Sequence, residues 1–155
     1  MSDQLSATPA QPLAPQSPPA KLWTPRAVGY ITFFLGFPGG LVMAARNWMR
    51  MGLTNKAITH LVAGGVGILA FVILFLILPG NVGSVLGFAV NIGMLFYLQN
   101  QTRKDIAAFI ANNHEVQNAH WFSGCLIGLV TIVLWIPLVF VVGFFLELLG
   151  VPIPE

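Results

Sequence analysis

Residues 60–79 read HLVAGGVGILAFVILFLILP. Gly80-Asn81 follows, and residues 82–99 then read VGSVLGFAVNIGMLFYLQ. No charged side chain occurs between Lys56 and Arg103, a gap of 46 residues. About 20 apolar residues suffice for a helix to cross the ~30 Å hydrocarbon core of a bilayer. Two uncharged runs separated by a Pro-Gly-Asn turn therefore predict two transmembrane helices, over 60–79 and 82–99, joined as a hairpin. The rest of the chain is placed relative to that pair.

Composition agrees. Of 155 residues, 8% are charged and 56% hydrophobic, whereas soluble domains carry about 25% charged residues. Twelve charged side chains cannot cover a water-soluble domain of this size. The seven Lys/Arg are spread thinly, which argues against a nucleic-acid partner, since that needs a clustered basic face. They stand instead where the flanks of membrane helices are expected. The single cysteine, Cys125, excludes an intrachain disulfide and reads as a small packing residue.

Residues 1–22 form a Pro-rich tail that is expected to be disordered, because it lacks the apolar surface needed to offset ordering entropy. It has neither the apolar core nor the cleavage site of a secretory signal. A membrane domain over 23–155 follows. Its first hydrophobic segment, 27–45, is broken at its centre by Gly36-Phe37-Pro38-Gly39-Gly40. Proline lacks a backbone donor and glycine favours bends, so a straight helix is not expected there. The segment is then either one kinked crossing or a re-entrant pair of short helices covered by protein.

Basic residues distinguish the two readings, because cytoplasmic loops are enriched in them. If 27–45 spans, two Lys/Arg fall on one side and five on the other; if it re-enters, all seven share a side. The second split is cleaner and favours re-entry. In both cases the 44–59 and 101–120 connections face the cytoplasm, with the Gly80-Asn81 turn and the C-terminus outside. Ile106, Phe109 and Ile110 make one apolar face across 101–120, which predicts an amphipathic helix lying in the interface. The last uncharged run, 121–147, predicts one further transmembrane helix with a proline at 137. The expected fold is an all-α integral membrane helix bundle. It has three transmembrane helices, a Gly/Pro-broken first segment and a juxtamembrane amphipathic helix.

Small residues four apart lie on one helix face and admit a close neighbour. This spacing nominates Gly36 and Gly40, Ala63 and Gly67, Gly83 and Gly87, Ala89 and Gly93, and Gly124 and Gly128 as packing positions. Asn91, in the middle of its segment, is assigned an interhelical hydrogen bond. Trp23, Trp48 and Trp121 are assigned to the headgroup level.

Chemistry is sparse. His114-Glu115 lacks a second histidine at the spacing of a zinc helix, and the AGGVG at 63–67 lacks the lysine of a phosphate loop. No ionisable group lies at mid-depth, where proton- and ion-coupled carriers need one. No cofactor or metal is expected.

The run FFLGFPGGLVMAARNWMRMG, the hairpin ending VNIGMLFYLQNQ and the HWFSGCLIGL start of the final helix resemble small uncharacterised bacterial integral membrane proteins. Those carry a glycine-proline-broken first segment before an arginine-asparagine pair. This chain has Gly36-Phe37-Pro38 in place of Gly-Gly-Pro, and His120-Trp121 in place of paired tryptophans. The resemblance implies a bacterial inner-membrane setting and no activity. The expected role is a non-catalytic helix-packing, scaffold or accessory subunit, with the lipid bilayer and either its own copies or a membrane protein as partners. The alternative is a small oligomeric transporter or channel. An enzyme would rest only on His114, Glu115 and His120 sharing one interface.

Overall fold

At Gly36 the backbone takes φ 79° and ψ 158°, a conformation open to glycine and strained for any residue with a Cβ. In the computed structural model, which describes residues 18–112 and 114–151, this one residue divides the first helix, α1 (Pro25–Arg50). Pro38 then falls in the first turn of the second half, where its missing N–H costs no hydrogen bond. Were α1 straight, Trp23 and Asn47 would be about 36 Å apart at 1.5 Å per residue. Instead the Trp23 amide donates to Asn47 Oδ1 at 2.9 Å, and Asn47 Nδ2 donates to the Trp23 carbonyl at 2.8 Å. The segment has turned back on itself. The break that the sequence leaves open is a hairpin, with both ends at the same end of the molecule.

The other elements are β1 (Ala20–Leu22), α2 (Thr54–Ile77), α3 (Gly80–Ala111), β2 (Val116–Asn118) and α4 (Trp121–Leu148). All four helices are long and apolar enough to cross a membrane by length and composition, and the chain is a multi-pass membrane protein. Folding at Gly36 shortens the reach of α1, however. Its first half, 25–35, is about 16 Å long, roughly half the depth of a hydrocarbon core.

The hairpin is the centre of the bundle, and α2, α3 and α4 wrap it. Buried apolar side chains come mainly from α1 and its approach: Leu22, Trp23, Val28, Leu41, Met43 and Trp48 among them. Between the two halves the approach is very close, since a Cβ on Gly40 would lie 1.8 Å from Thr32 Oγ1. The Thr32 hydroxyl turns back to donate to the Val28 carbonyl at 2.8 Å. The outer faces of α2, α3 and α4 remain apolar and uncovered, with Val85, Phe88 and Phe140 exposed. Helices apolar on all sides suit a lipid solvent.

At the base of the hairpin, β1 and β2 pair in parallel, with Ala20 opposite Val116 and Leu22 opposite Asn118. This short ladder ties the chain before α1 to the connection between α3 and α4. All seven Lys/Arg lie at this end, while the Pro79–Asn81 turn and Glu147 lie at the other.

Two expectations change. The amphipathic helix over 101–120 is not a separate interfacial element. No glycine or proline interrupts the chain between Gln99 and Ala111, so α3 continues straight through. Its apolar positions Ile106 and Phe109 pack on the core at the hairpin base rather than on lipid, and part of the remainder forms β2. The tail assigned to 1–22 is ordered over its last three residues as β1, and positions 1–17 lie outside the described residues.

Candidate functional site

Two clusters of polar side chains lie under the hairpin. Asn47 is fully buried, and its amide meets both the N–H and the C=O of Trp23, as a neighbouring strand would. A side chain with one donor and one acceptor is needed for this pairing. Arg50 adds a second tie, donating to the Lys21 carbonyl while its guanidinium sits 4.5 Å over the Trp23 ring. The Trp23 indole N–H donates in turn to the His120 carbonyl at 3.2 Å, so the start of α4 is fixed to the same point.

A second cluster joins α1, α2 and α3. The Trp48 indole donates to Asp105 Oδ2 at 2.6 Å, and Lys56 Nζ lies 2.7 Å from the same oxygen. Lys56 also donates to Gln101 Oε1 at 3.3 Å. His60 stands beside the Trp48 ring at 4.5 Å between centroids. Its Nδ1 is 2.8 Å from the Lys56 carbonyl, and a carbonyl only accepts, so Nδ1 carries the proton. In the neutral ring Nε2 is then the acceptor for the Tyr97 hydroxyl, 3.0 Å away.

Two hollows lie beside the hairpin. One of about 440 Å³ lies between the hairpin tip (Phe37, Leu41), α2 and α3, with His60 and Tyr97 at its polar end. The other, about 670 Å³, runs between the first half of α1 and α4, with Arg26 and Trp121 at its mouth. Both are predominantly apolar.

Asn91 sits on α3 beside the break. The last carbonyls of a helix have no intrahelical partner, and Phe33 is in the last turn before Gly36. Asn91 Nδ2 donates to the Phe33 oxygen at 3.2 Å, capping the end of a half-helix. Its own Oδ1 is buried without a partner among the described residues.

The glycines singled out by spacing differ in what they do. Gly36 makes the turn, and Gly40 lets the two halves of α1 meet. On α4, Gly124 faces Met43 and Gly128 faces Leu35, so this pair receives the hairpin. Gly83 and Gly87 lie against Phe75 and Phe71 of α2, within the α2–α3 pair. Gly93 has nothing within 4 Å of where a Cβ would be.

Of the three tryptophans assigned to the headgroup level, only Trp121 faces outward, at 70% exposed. Trp23 and Trp48 are 1% and 0% exposed, because the doubled-back chain turns both rings under the hairpin. Sequence reasoning missed Asn47, Asp105 and the pairing of His60 with Tyr97. Their partners lie 24, 57 and 37 positions away, and no periodic signal announces them.

In the Lys56 cluster the ammonium and the Asp105 carboxylate pair with each other, and the His60 ring is held by the Lys56 carbonyl and the Tyr97 hydroxyl. Among the described residues no three His, Cys, Asp or Glu side chains gather where they could hold a metal ion. Comparisons with protein-family models, curated proteins and solved structures found no match.

Proposed function

We propose that this chain is a non-catalytic membrane subunit that acts by helix packing, with its basic end in the cytoplasm of a bacterial cell. The observation that carries this reading is the division among its small-residue faces. Gly124 and Gly128 are filled by the hairpin, and Gly83 and Gly87 by α2. Ala89 and Gly93 face outward on α3 with nothing opposite Gly93. Exposed small residues at this spacing let a second helix approach at backbone distance. The occupant is another copy or the helix of a partner complex.

The test is the size of the complex purified in mild detergent. Gly93→Leu is expected to reduce it to the single chain while membrane insertion is unchanged. A wild-type chain that already runs alone, with no co-purifying protein, would overturn the proposal.

A second reading, a small oligomeric transporter or channel, draws on the hairpin tip ending at mid-depth, since interrupted helices line substrate paths in transporters. The apolar lining of both hollows counts against a polar path through one chain. Reconstituted vesicles with no flux above empty ones would remove it.

A further inference from the structure

We infer that the groove between the first half of α1 and α4 is a binding site for an anionic phospholipid from the surrounding leaflet. The groove holds about 670 Å³, and its inner wall is Ala27, Ile31, Leu35 and Cys125, with Tyr30 and Phe34 along the rim. Apart from the Tyr30 hydroxyl on the exposed rim, the lining is apolar except at one end, where Arg26, Thr24 and Trp121 stand together. That end is the one carrying all the basic residues.

Charge selects the headgroup. Seven Lys/Arg share this end with Asp105 and Glu115, an excess of five positive charges among the described residues. Among the described residues Lys56–Asp105 is the one ion pair at that end, and no described carboxylate pairs with Arg26. A zwitterionic headgroup would bring its own cation into this field, whereas a net negative one matches it. Both flanking helices also begin here, and their N-terminal ends add to the positive potential. An exposed tryptophan beside the arginine sits where indoles meet headgroups.

Shape selects a chain over a helix. On α4 the small residues that could admit a neighbouring backbone, Gly124 and Gly128, are already occupied by Met43 and Leu35. What remains is an apolar groove rimmed by Tyr30, Phe34 and Leu129, which a flexible acyl chain can fill.

The test uses the full chain reconstituted in vesicles of equal parts phosphatidylcholine and phosphatidylglycerol, then extracted gently for native mass spectrometry. Wild type is expected to retain phosphatidylglycerol in preference to phosphatidylcholine. Arg26→Gln is expected to lower that preference about fivefold, the weight of one basic side chain beside an anionic headgroup. Arg103→Gln removes the same charge away from the groove and is expected to leave the preference intact. Leu129→Trp narrows the groove and is expected to lower retention of either lipid, with unchanged melting showing that the fold survives. Lipids retained in proportion to their abundance would overturn the site. So would equal losses in Arg26→Gln and Arg103→Gln, or a protein found in the groove in place of lipid.

Discussion

Helix α1 and helix α4 are similar in length and both apolar, yet they use their surfaces in opposite ways. In the most apolar stretch of α1, 61% is buried inside the protein; in that of α4, 6% is. Bilayer hydrocarbon is as apolar as leucine, so α4 gains little by hiding its side chains from it. A hairpin of two short half-helices is in a different position. At its break it exposes backbone groups that lipid cannot satisfy, and it has to be enclosed by protein. Burial in this molecule follows backbone demand more than hydrophobicity.

The contrast can be broken most severely at the closest approach. Gly40→Leu places a side chain where Thr32 already stands, and no folded, monodisperse protein is expected from size-exclusion in detergent. Gly36→Ala forces a Cβ into a glycine-only conformation, a cost of about 1–3 kcal/mol, to be read as a lowered melting temperature. Asn47→Leu orphans the N–H and C=O of Trp23, at about 1–3 kcal/mol for each group. Asn47→Asp keeps the acceptor and loses the donor, so it is expected to melt between wild type and Asn47→Leu. Lys56→Met leaves the part-buried Asp105 carboxylate with the Trp48 indole alone and is expected to cost about 1 kcal/mol. Gly67→Leu, on the lining of the α2–α3 hollow with nothing within 4 Å, is expected to change stability by no more than about 0.5 kcal/mol. If Gly67→Leu proved as damaging as Gly40→Leu, the division between an enclosed hairpin and lipid-facing helices would not hold.

Topology sharpens the same comparison. Cysteines introduced at Lys21 and Arg46 are expected to react with an impermeant thiol reagent from one side of the membrane, and one at Asn81 from the other. Labelling of positions 21 and 46 from opposite sides would show that α1 crosses.

Much of this architecture was legible because membrane insertion is written in runs and margins. The uncharged stretches locate α2, α3 and α4, and the distribution of Lys/Arg favours the doubled-back first segment without any knowledge of contacts. Pro38 and its glycines mark the break, although only coordinates show that Gly36 alone makes the turn. What could not be read is tertiary pairing. Trp48 beside a basic loop has the same local signature whether it faces headgroups or donates to Asp105, which lies 57 positions further along. The stripe Ile106–Phe109 is equally suited to lipid or to protein. The hairpin base supplies the protein surface, and nothing within residues 101–120 reveals it.

The glycines that cradle the hairpin have a consequence for assembly in time. The ribosome delivers α1 first, whereas Gly124 and Gly128 emerge roughly a hundred residues later. The Asn47 clasp needs only its own neighbourhood and can close early, but the enclosure cannot. Biogenesis therefore has to shelter an unfinished wedge while α2 and α3 are made, and only the arrival of α4 completes its enclosure.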